Sequence, residues 1–568
     1  MKAFDIGLSA LRAQQLTLSV QGNNLANAAT PGYHRQVAAL ASRTPLRDDR
    51  FGVGSGVDVL DVRRLQATAI ETSLLRNASE AGYSQQSEDV AKQIESLLTP
   101  GDNSIHGSLS KFFDRMEKVA NAPQDRTVRQ EFLTSASELM AGFKDLDQQF
   151  AALGRDLSLD LSDSVKQVNA HIKNLAQLNS EIFRARAVGT PPNVLLDQRD
   201  QIATELSAYM EVDNVTTADG HEQTKLAGGN VSIGLLPVTF RVVRDANGTT
   251  GIGMNEQATA LPLTSGRLAA MTAALNETVP DFTTRLRDLS REIVQAVDQQ
   301  HAQGISDHGP ATTLLGNRSV VDVSLPLGLS NPKFPIHYGD LSVTVTDRTT
   351  GVRHTSQITI DPDRDSLTDV ASKLSTISGV SASVDGVSKT LLIVANPPYS
   401  IDFAGRSDNP LDPTVASHPD ETGILAAMGI GSLFEGTEPS TFRVRSEILE
   451  NPDQLAVSPS GQSGDGRNIA SMANLRDSRF DALAGRTFTE EMADVTAESG
   501  LQVQTSESQN GQLQAFRQRL EIDRDAVSGV DINEEMMQMM QTQRAYQAAA
   551  KIITTADQML SELLQLVR

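Results

Sequence analysis

Apolar residues recur at helical spacing at both ends of the chain, with shorter alternating runs between them. Phe4, Leu8, Leu11, Gln15, Leu18, Gly22 and Leu25 step by four and three in alternation, a heptad seam with five of seven positions apolar. The spacing predicts one helix over about the first thirty residues. Asn23-Asn24-Leu25-Ala26-Asn27 and then Thr30-Pro31-Gly32-Tyr33 should stop it. Asparagine tolerates a left-handed cap, Pro31 cannot continue a helix, and Gly32 allows a free turn. The C-terminus mirrors this: Ile532, Met539, Tyr546, Ile553, Leu560 and Val567 recur every seven residues, flanked by Ala549, Ala556 and Leu563.

Further helices are expected inside these ends. Residues from about 61 to 98 and from 104 to 150 are helical in pattern, with breaks at Thr99-Pro100-Gly101 and Ala122-Pro123. Leu161, Val165, Val168, Ile172, Leu175 and Ile182 form another stripe, ended by Gly189-Thr190-Pro191-Pro192, and a short helix follows near 194–210. A long stripe from Leu268 to Ile293 contains Pro280, which should kink it. Another long helix is expected over 488–526. The regions between read as β-rich. Residues 211–262 carry alternating runs such as 238–243, separated by Asn-Gly and Gly-Gly turns. Strands are expected at 341–346, 357–360 and 391–394, with a helix from Leu367 to Ile377.

The resulting layout is nested, and the fold class expected is multidomain α+β. A terminal coiled-coil domain comprises 1–38 and 530–568. A helical bundle comprises 39–210, 263–302 and 455–529. The bundle carries a small β insert at 211–262 and a larger β-rich outer insert at 303–454.

Composition narrows the chemistry. The 568 residues contain no cysteine and carry a net charge of −22, which excludes disulfides, thiol catalysis and general nucleic-acid binding. The acidity lies away from the N-terminus: residues 301–450 hold 18 acidic and 10 basic side chains. No run of eighteen apolar residues predicts a membrane span, so no membrane insertion is expected. Residues 1–7 lack the basic-then-apolar pattern of a cleavable secretory signal. The nine histidines are scattered, and Asp361-Pro362-Asp363-Arg364-Asp365 lacks the later glycine and glutamate of a calcium loop. No nucleophile elbow, phosphate loop or dinucleotide fingerprint stands in convincing context. The expectation is no enzyme, no metal and no cofactor.

Several segments resemble one known group. Ala10-Leu11-Arg12-Ala13-Gln14-Gln15-Leu16, the Asn23–Asn27 stretch and Thr30-Pro31-Gly32-Tyr33 resemble the N-terminal signature of bacterial flagellar axial proteins, the rod, hook and hook-associated proteins. The continuation His34-Arg35-Gln36 is similar to the hook-associated branch, whereas rod and hook proteins usually have a Gly-Phe-Lys type ending there. Residues 54–59 with Val62-Arg63-Arg64, 195–200 (Leu-Leu-Asp-Gln-Arg-Asp), 427–436 and 528–551 resemble further blocks of the group. Gly431, Ser432 and Leu433 depart from the third of these.

The resemblance implies a structural protein at the hook–filament junction. It also implies extracellular placement in the flagellum after type III export without a cleavable signal, and an export chaperone on the C-terminal region. The implied partners are the hook protein, the next hook-associated protein toward the filament, and further copies of the chain in a ring. The alternatives are a rod or hook subunit, or an axial scaffold whose 303–450 insert is an adhesive or binding module.

The terminal helices support assembly on physical grounds as well. Ordering a residue costs about 1–2 kcal/mol, and burying a large apolar side chain returns about 1.5–3 kcal/mol. Five seam side chains do not hold a lone helix. The ends are therefore expected to be frayed in the monomer and to pair with each other and with neighbouring copies. The candidate assembly interface comprises Phe4, Leu8, Leu11, Leu18, Leu25, Asn24, Asn27, Thr30, Pro31, Gly32 and Tyr33 with Ile532, Met539, Tyr546, Ile553, Leu560 and Val567. The cluster Met536, Met537, Met539 and Met540 suits a segment that meets more than one partner, although core filling is its simpler reading.

Overall fold

The computed structural model describes residues 2–43, 54–99, 101, 104–216, 222–330, 332–409, 411–412 and 414–566. Val567 of the C-terminal stripe and Pro100 of the expected break lie outside the described residues. Helix accounts for 55% of the described residues and strand for 16%, in long helices and several small sheets, which makes the fold multidomain α+β. Among the described residues, no helix is long and apolar enough to cross a membrane. The chain forms two compact units. The first comprises Met1–Val90, Asp156–Asn276 and Gln504–Arg568, and the second Ala91–Arg155 and Glu277–Val503.

Three local outcomes differ from the pattern reading. The helix expected from about 61 begins at Thr68. Residues Val57–Arg64 are instead a strand, paired antiparallel with Gln36–Ser42 so that Gln36 lies opposite Arg64. Its β-branched valines and a ladder partner earlier in the chain outweigh any local helical preference. Next, the stretches read as separate before and after residue 150 are one helix of 62 residues, Arg126–Ala187. Gly154 costs the helix about 1 kcal/mol relative to alanine, too little to break it. Last, the stripe containing Pro280 is relieved by a π turn at Ala274–Thr278, not by a sharp bend alone. Pro280 has no N–H for the carbonyl of Asn276, so the hydrogen-bond ladder shifts register there.

In the first unit, the stripe Leu161, Val165, Val168, Ile172 and Leu175 is buried against the small β insert. That insert is a three-stranded sheet (Val212–Thr216, Glu222–Leu226, Val231–Ile233) and a hairpin (Phe240–Arg244, Thr250–Met254). Helix asparagines tie it down. Asn169 accepts from the Phe240 N–H at 2.7 Å and donates to its carbonyl at 2.8 Å. Asn276 does the same with Thr250, at 2.8 and 2.7 Å. Each side-chain amide thus stands in for a missing neighbouring strand and satisfies backbone groups that burial would otherwise leave unpaired.

The second unit has an aromatic core, in a chain without tryptophan. Phe112 meets Phe113 edge-on at 5.1 Å, Phe113 stacks on Phe488 at 6.0 Å, and Phe150 on Phe282 at 6.5 Å. Its insert has two three-stranded sheets, with Leu367–Ser375 as a helix started by the Ser366/Asp369 capping box. The block at 427–436 closes around a buried ion pair. Asp298 accepts from the N–H groups of Leu433 and Phe434, both at 2.9 Å, and from Arg318 at 2.6 Å. Arg318 also donates to the carbonyls of Gly436 and Ala426 and lies over the Phe334 ring. Gly429 and Gly436 adopt positive φ, and a Cβ on either would collide with Asn317 or Thr441. Leu433, one of the departures from the group pattern, is fully buried here.

Removing Arg318 leaves a carboxylate with no counter-charge in a closed interior. Arg318→Met should lower stability by about 3–5 kcal/mol, measured as a lower urea midpoint, and Arg318→Met with Asp298→Leu should recover much of it.

Candidate assembly site at the paired termini

The N-terminal helix, Lys2–Ala26, and the C-terminal helix, Ile532–Leu566, pack along each other within the first unit. Small residues set the closeness of the contact. A Cβ on Gly7 would lie 2.8 Å from Ile553 Cγ1 and 3.5 Å from the Ala549 carbonyl. On the C-terminal helix the buried positions are Glu535, Thr542 and Ala549, again seven residues apart. On the N-terminal helix they are Gly7, Ser9, Ala13, Val20, Gln21 and Asn24.

The large apolar residues of the expected interface flank this seam. Leu8, Leu11, Leu18 and Leu25 are half-buried, as are Met539, Tyr546 and Ile553. Phe4, Ile532 and Leu560 are 44%, 50% and 49% exposed. Met536, Met537, Met540, Ile552, Met559 and Leu563 are exposed too, so the pair keeps an uncovered apolar side.

The turn after the N-terminal helix is built by its own side chains. Asn27 donates to the Asn23 carbonyl at 2.9 Å, the Thr30 hydroxyl donates to Asn27 Oδ1 at 3.3 Å, and Gly32 takes φ +76°. Thr30, Pro31 and Gly32 are exposed and, with residues 524–531, line a cleft of about 560 Å³. Tyr33 folds back, its hydroxyl donating to Asn24 Oδ1 at 2.8 Å. Burial, then the nearby Asp197 and Glu535 carboxylates, push the Tyr33 phenol up to about 12.

Asn24 is the hub. It is fully buried, exchanges two hydrogen bonds of 2.9 Å with the Gln36 backbone, and donates to Glu535 Oε1 at 2.7 Å. Glu535 is itself buried and takes a second donor, Arg35 Nε, at 3.0 Å. Arg35 further donates to Gln538 at 2.9 Å, and its backbone N–H bonds the Ser528 carbonyl at 3.0 Å. The turn is thereby locked to the start of the C-terminal helix.

His34 locks the turn to the body of the unit. Its Nδ1 lies 2.8 Å from Asp197 Oδ1 and its Nε2 3.3 Å from Glu71 Oε1, while Arg64 reaches the same Asp197 oxygen at 2.8 Å. Burial opposes the charged ring, but the Asp197 and Glu71 carboxylates outweigh it and push His34 up to about 9.

Four of the five motif segments therefore meet in one polar network: the turn at 23–36, Arg64 of the second block, Asp197 of the third and Glu535 of the C-terminal block. Glu71, Gln36, Arg35, His34 and Glu535 are absent from the set chosen on sequence. Their usable signal was membership of the quoted motifs for His34, Arg35, Gln36 and Glu535, because an acid of the Glu534-Glu535 pair between stripe positions otherwise reads as a solvated face.

Two outcomes follow. Asn24→Ala strips Glu535 and Gln36 of buried partners and should cost about 2–3 kcal/mol, with faster amide exchange concentrated in 532–550. The His34 contribution should be full below its ordinary value of 6.5 and fade as pH rises through about 9. Thermal unfolding of the native chain should therefore lose stability across that interval, and His34→Gln should flatten the loss.

Comparison with known proteins finds flagellar proteins along the length of the chain. Residues 91–314 match the family model described as the flagellar hook-associated protein FlgK helical domain. Residues 4–34 match that of the flagella basal body rod protein, and 526–566 that of the flagellar basal body rod FlgEFG protein C-terminal region. Flagellar hook-associated protein 1 of Salmonella typhimurium is 25% identical over 581 residues, 98% of each chain. That of Escherichia coli is 23% identical over 593 residues, again 98% of each. The solved flagellar hook junction protein FlgK of Burkholderia pseudomallei overlays with a TM-score of 0.49 at 17% identity, over 80% of this chain and 100% of that one. Over nearly its whole length the chain is thus similar to proteins named flagellar hook-associated protein 1.

Proposed function

We propose that this chain is a structural junction protein of the bacterial flagellum, joining hook to filament as a ring of its own copies. The observation that carries this reading is the end-to-end correspondence with hook-associated protein 1, 98% of each chain. The hook-associated match at 91–314 favours this role over that of a rod or hook subunit, whose models cover the two ends alone. The partners are the hook protein on one side and the next hook-associated protein on the other. An export chaperone holds the C-terminal region beforehand, and the chain leaves the cell by type III export.

The work is packing. The methionine-rich start of the C-terminal helix and its distal Met559, Leu560 and Leu563 stay exposed in the single chain. Neighbouring copies and the chaperone supply the missing cover in turn, and flexible methionines fit both.

The test combines proteolysis with assembly. Dilute monomer treated with protease should be trimmed at the distal part of the C-terminal helix, where Met559, Leu560 and Leu563 are exposed, and keep the Asn24–Glu535 network within a resistant core. Intact protein should add to purified hooks, whereas Met537→Glu with Met540→Glu should fold with unchanged circular dichroism and leave hooks bare. Normal assembly by that variant would overturn the role given to the exposed methionines. Failure of the intact chain to add to hooks would overturn the junction reading.

A further inference from the structure

The sequence contains two Asn-Gly pairs, Asn247-Gly248 and Asn510-Gly511, and the structure treats them in opposite ways. We propose that Asn247 is a site of spontaneous deamidation, converting to aspartate and isoaspartate, while Asn510 is protected by its fold.

Asn247 stands at the tip of the hairpin formed by Phe240–Arg244 and Thr250–Met254, where residues 244–249 are all exposed. Its side-chain amide has no hydrogen-bond partner among the described residues, so Cγ is open to attack. Gly248 has φ +86°, and a Cβ there would meet nothing within 4 Å. With no side chain on Gly248, its backbone nitrogen is unshielded. A single 3.1 Å bond to the Asp245 carbonyl holds that nitrogen, at a loop tip that opens at low cost.

The reaction needs only water as co-reactant. The Gly248 nitrogen attacks Asn247 Cγ, and the new C–N bond closes a five-membered succinimide. Nδ2 departs as ammonia, carrying the proton from the Gly248 nitrogen. Water then opens either ring carbonyl. One opening gives aspartate, and the other gives isoaspartate with the chain running through the former side chain.

Asn510 has the same neighbour and the opposite setting. It lies inside the helix Phe488–Ser528 and is buried. Its amide donates to Gln85 Oε1 at 3.0 Å and to Glu88. Helical hydrogen bonding occupies the Gly511 nitrogen, so ring closure there first requires the helix to open.

The change at Asn247 has a local consequence. Asp245 Oδ1 accepts from the Asn247 N–H at 2.9 Å and the Thr249 N–H at 2.8 Å. A new carboxylate beside Asp245, or the longer isoaspartyl backbone, breaks this cradle and loosens the tip. The hairpin body, anchored through Phe240 and Asn169, should remain in place.

The experiment ages the purified full chain at mildly alkaline pH, folded and in urea, and follows both peptides by digestion and mass spectrometry. An isoaspartyl methyltransferase labels the isoaspartate. In the folded chain the Asn247 peptide should convert roughly tenfold or more faster than the Asn510 peptide, and in urea the two rates should converge. Asn247→Ser should abolish conversion at that peptide and leave the melting curve unchanged. If folded Asn247 converts as slowly as folded Asn510 while both convert in urea, the tip's hydrogen bonds protect it and the proposal is wrong.

Discussion

The buried amide of Asn24 is the contact on which the termini depend. In one position it satisfies both backbone groups of Gln36, receives the Tyr33 hydroxyl and donates to Glu535. Each of those groups is withdrawn from water, and an unmet partner would carry its full desolvation cost. Glu535 sharpens the constraint, because a buried carboxylate tolerates few positions relative to its donors. Asn24 and Arg35 together define where the C-terminal helix begins. The small residues at Gly7 and Ala549 then let the two helices run close together. A polar network at one end and close packing along the length supply register and affinity separately.

The same device recurs in the first unit. Asn169 and Asn276 meet strand backbones at Phe240 and Thr250 with the two-bond geometry that Asn24 uses at Gln36. Short strands have edges, and an edge packed on a helix leaves backbone groups that an apolar side chain cannot satisfy. A helix asparagine answers with one donor and one acceptor at the right separation. This explains how small two- and three-stranded sheets sit on long helices without joining a larger sheet. The second unit meets a similar demand with charge: Asp298 and Arg318 collect the backbone groups of the 433–436 turn.

These arrangements suit a protein that works by fitting. The interior of each unit is closed by directional bonds that specify one geometry, while the apolar side of the terminal pair remains open. A rigid seam presents an adaptable surface, and methionine dominates that surface near the start of the C-terminal helix.

Much of the secondary structure was legible from spacing. The terminal stripes, the stop at 23–33, the core stripe from Leu161 to Ile182 and the strands at 341–346, 357–360 and 391–394 all follow local periodicity. Helical and strand patterns are properties of neighbours along the chain, so the sequence by itself determined them, together with the motif blocks that carry the resemblance to flagellar axial proteins. Tertiary structure alone decided which face of each stripe became the contact. Heptad spacing at Ile532, Met539 and Tyr546 is repeated, shifted by three residues, at Glu535, Thr542 and Ala549, and periodicity does not choose between the two series. The choice fell to the small and polar series because Gly7 admits a close approach, Arg35 pairs with the Glu535 carboxylate and Asn24 donates a hydrogen bond to it. The strand at Val57–Arg64 and the His34–Asp197 bond were likewise settled by partners far away in sequence. A carboxylate becomes structural only when folding brings its donors to it, and no local pattern records that meeting.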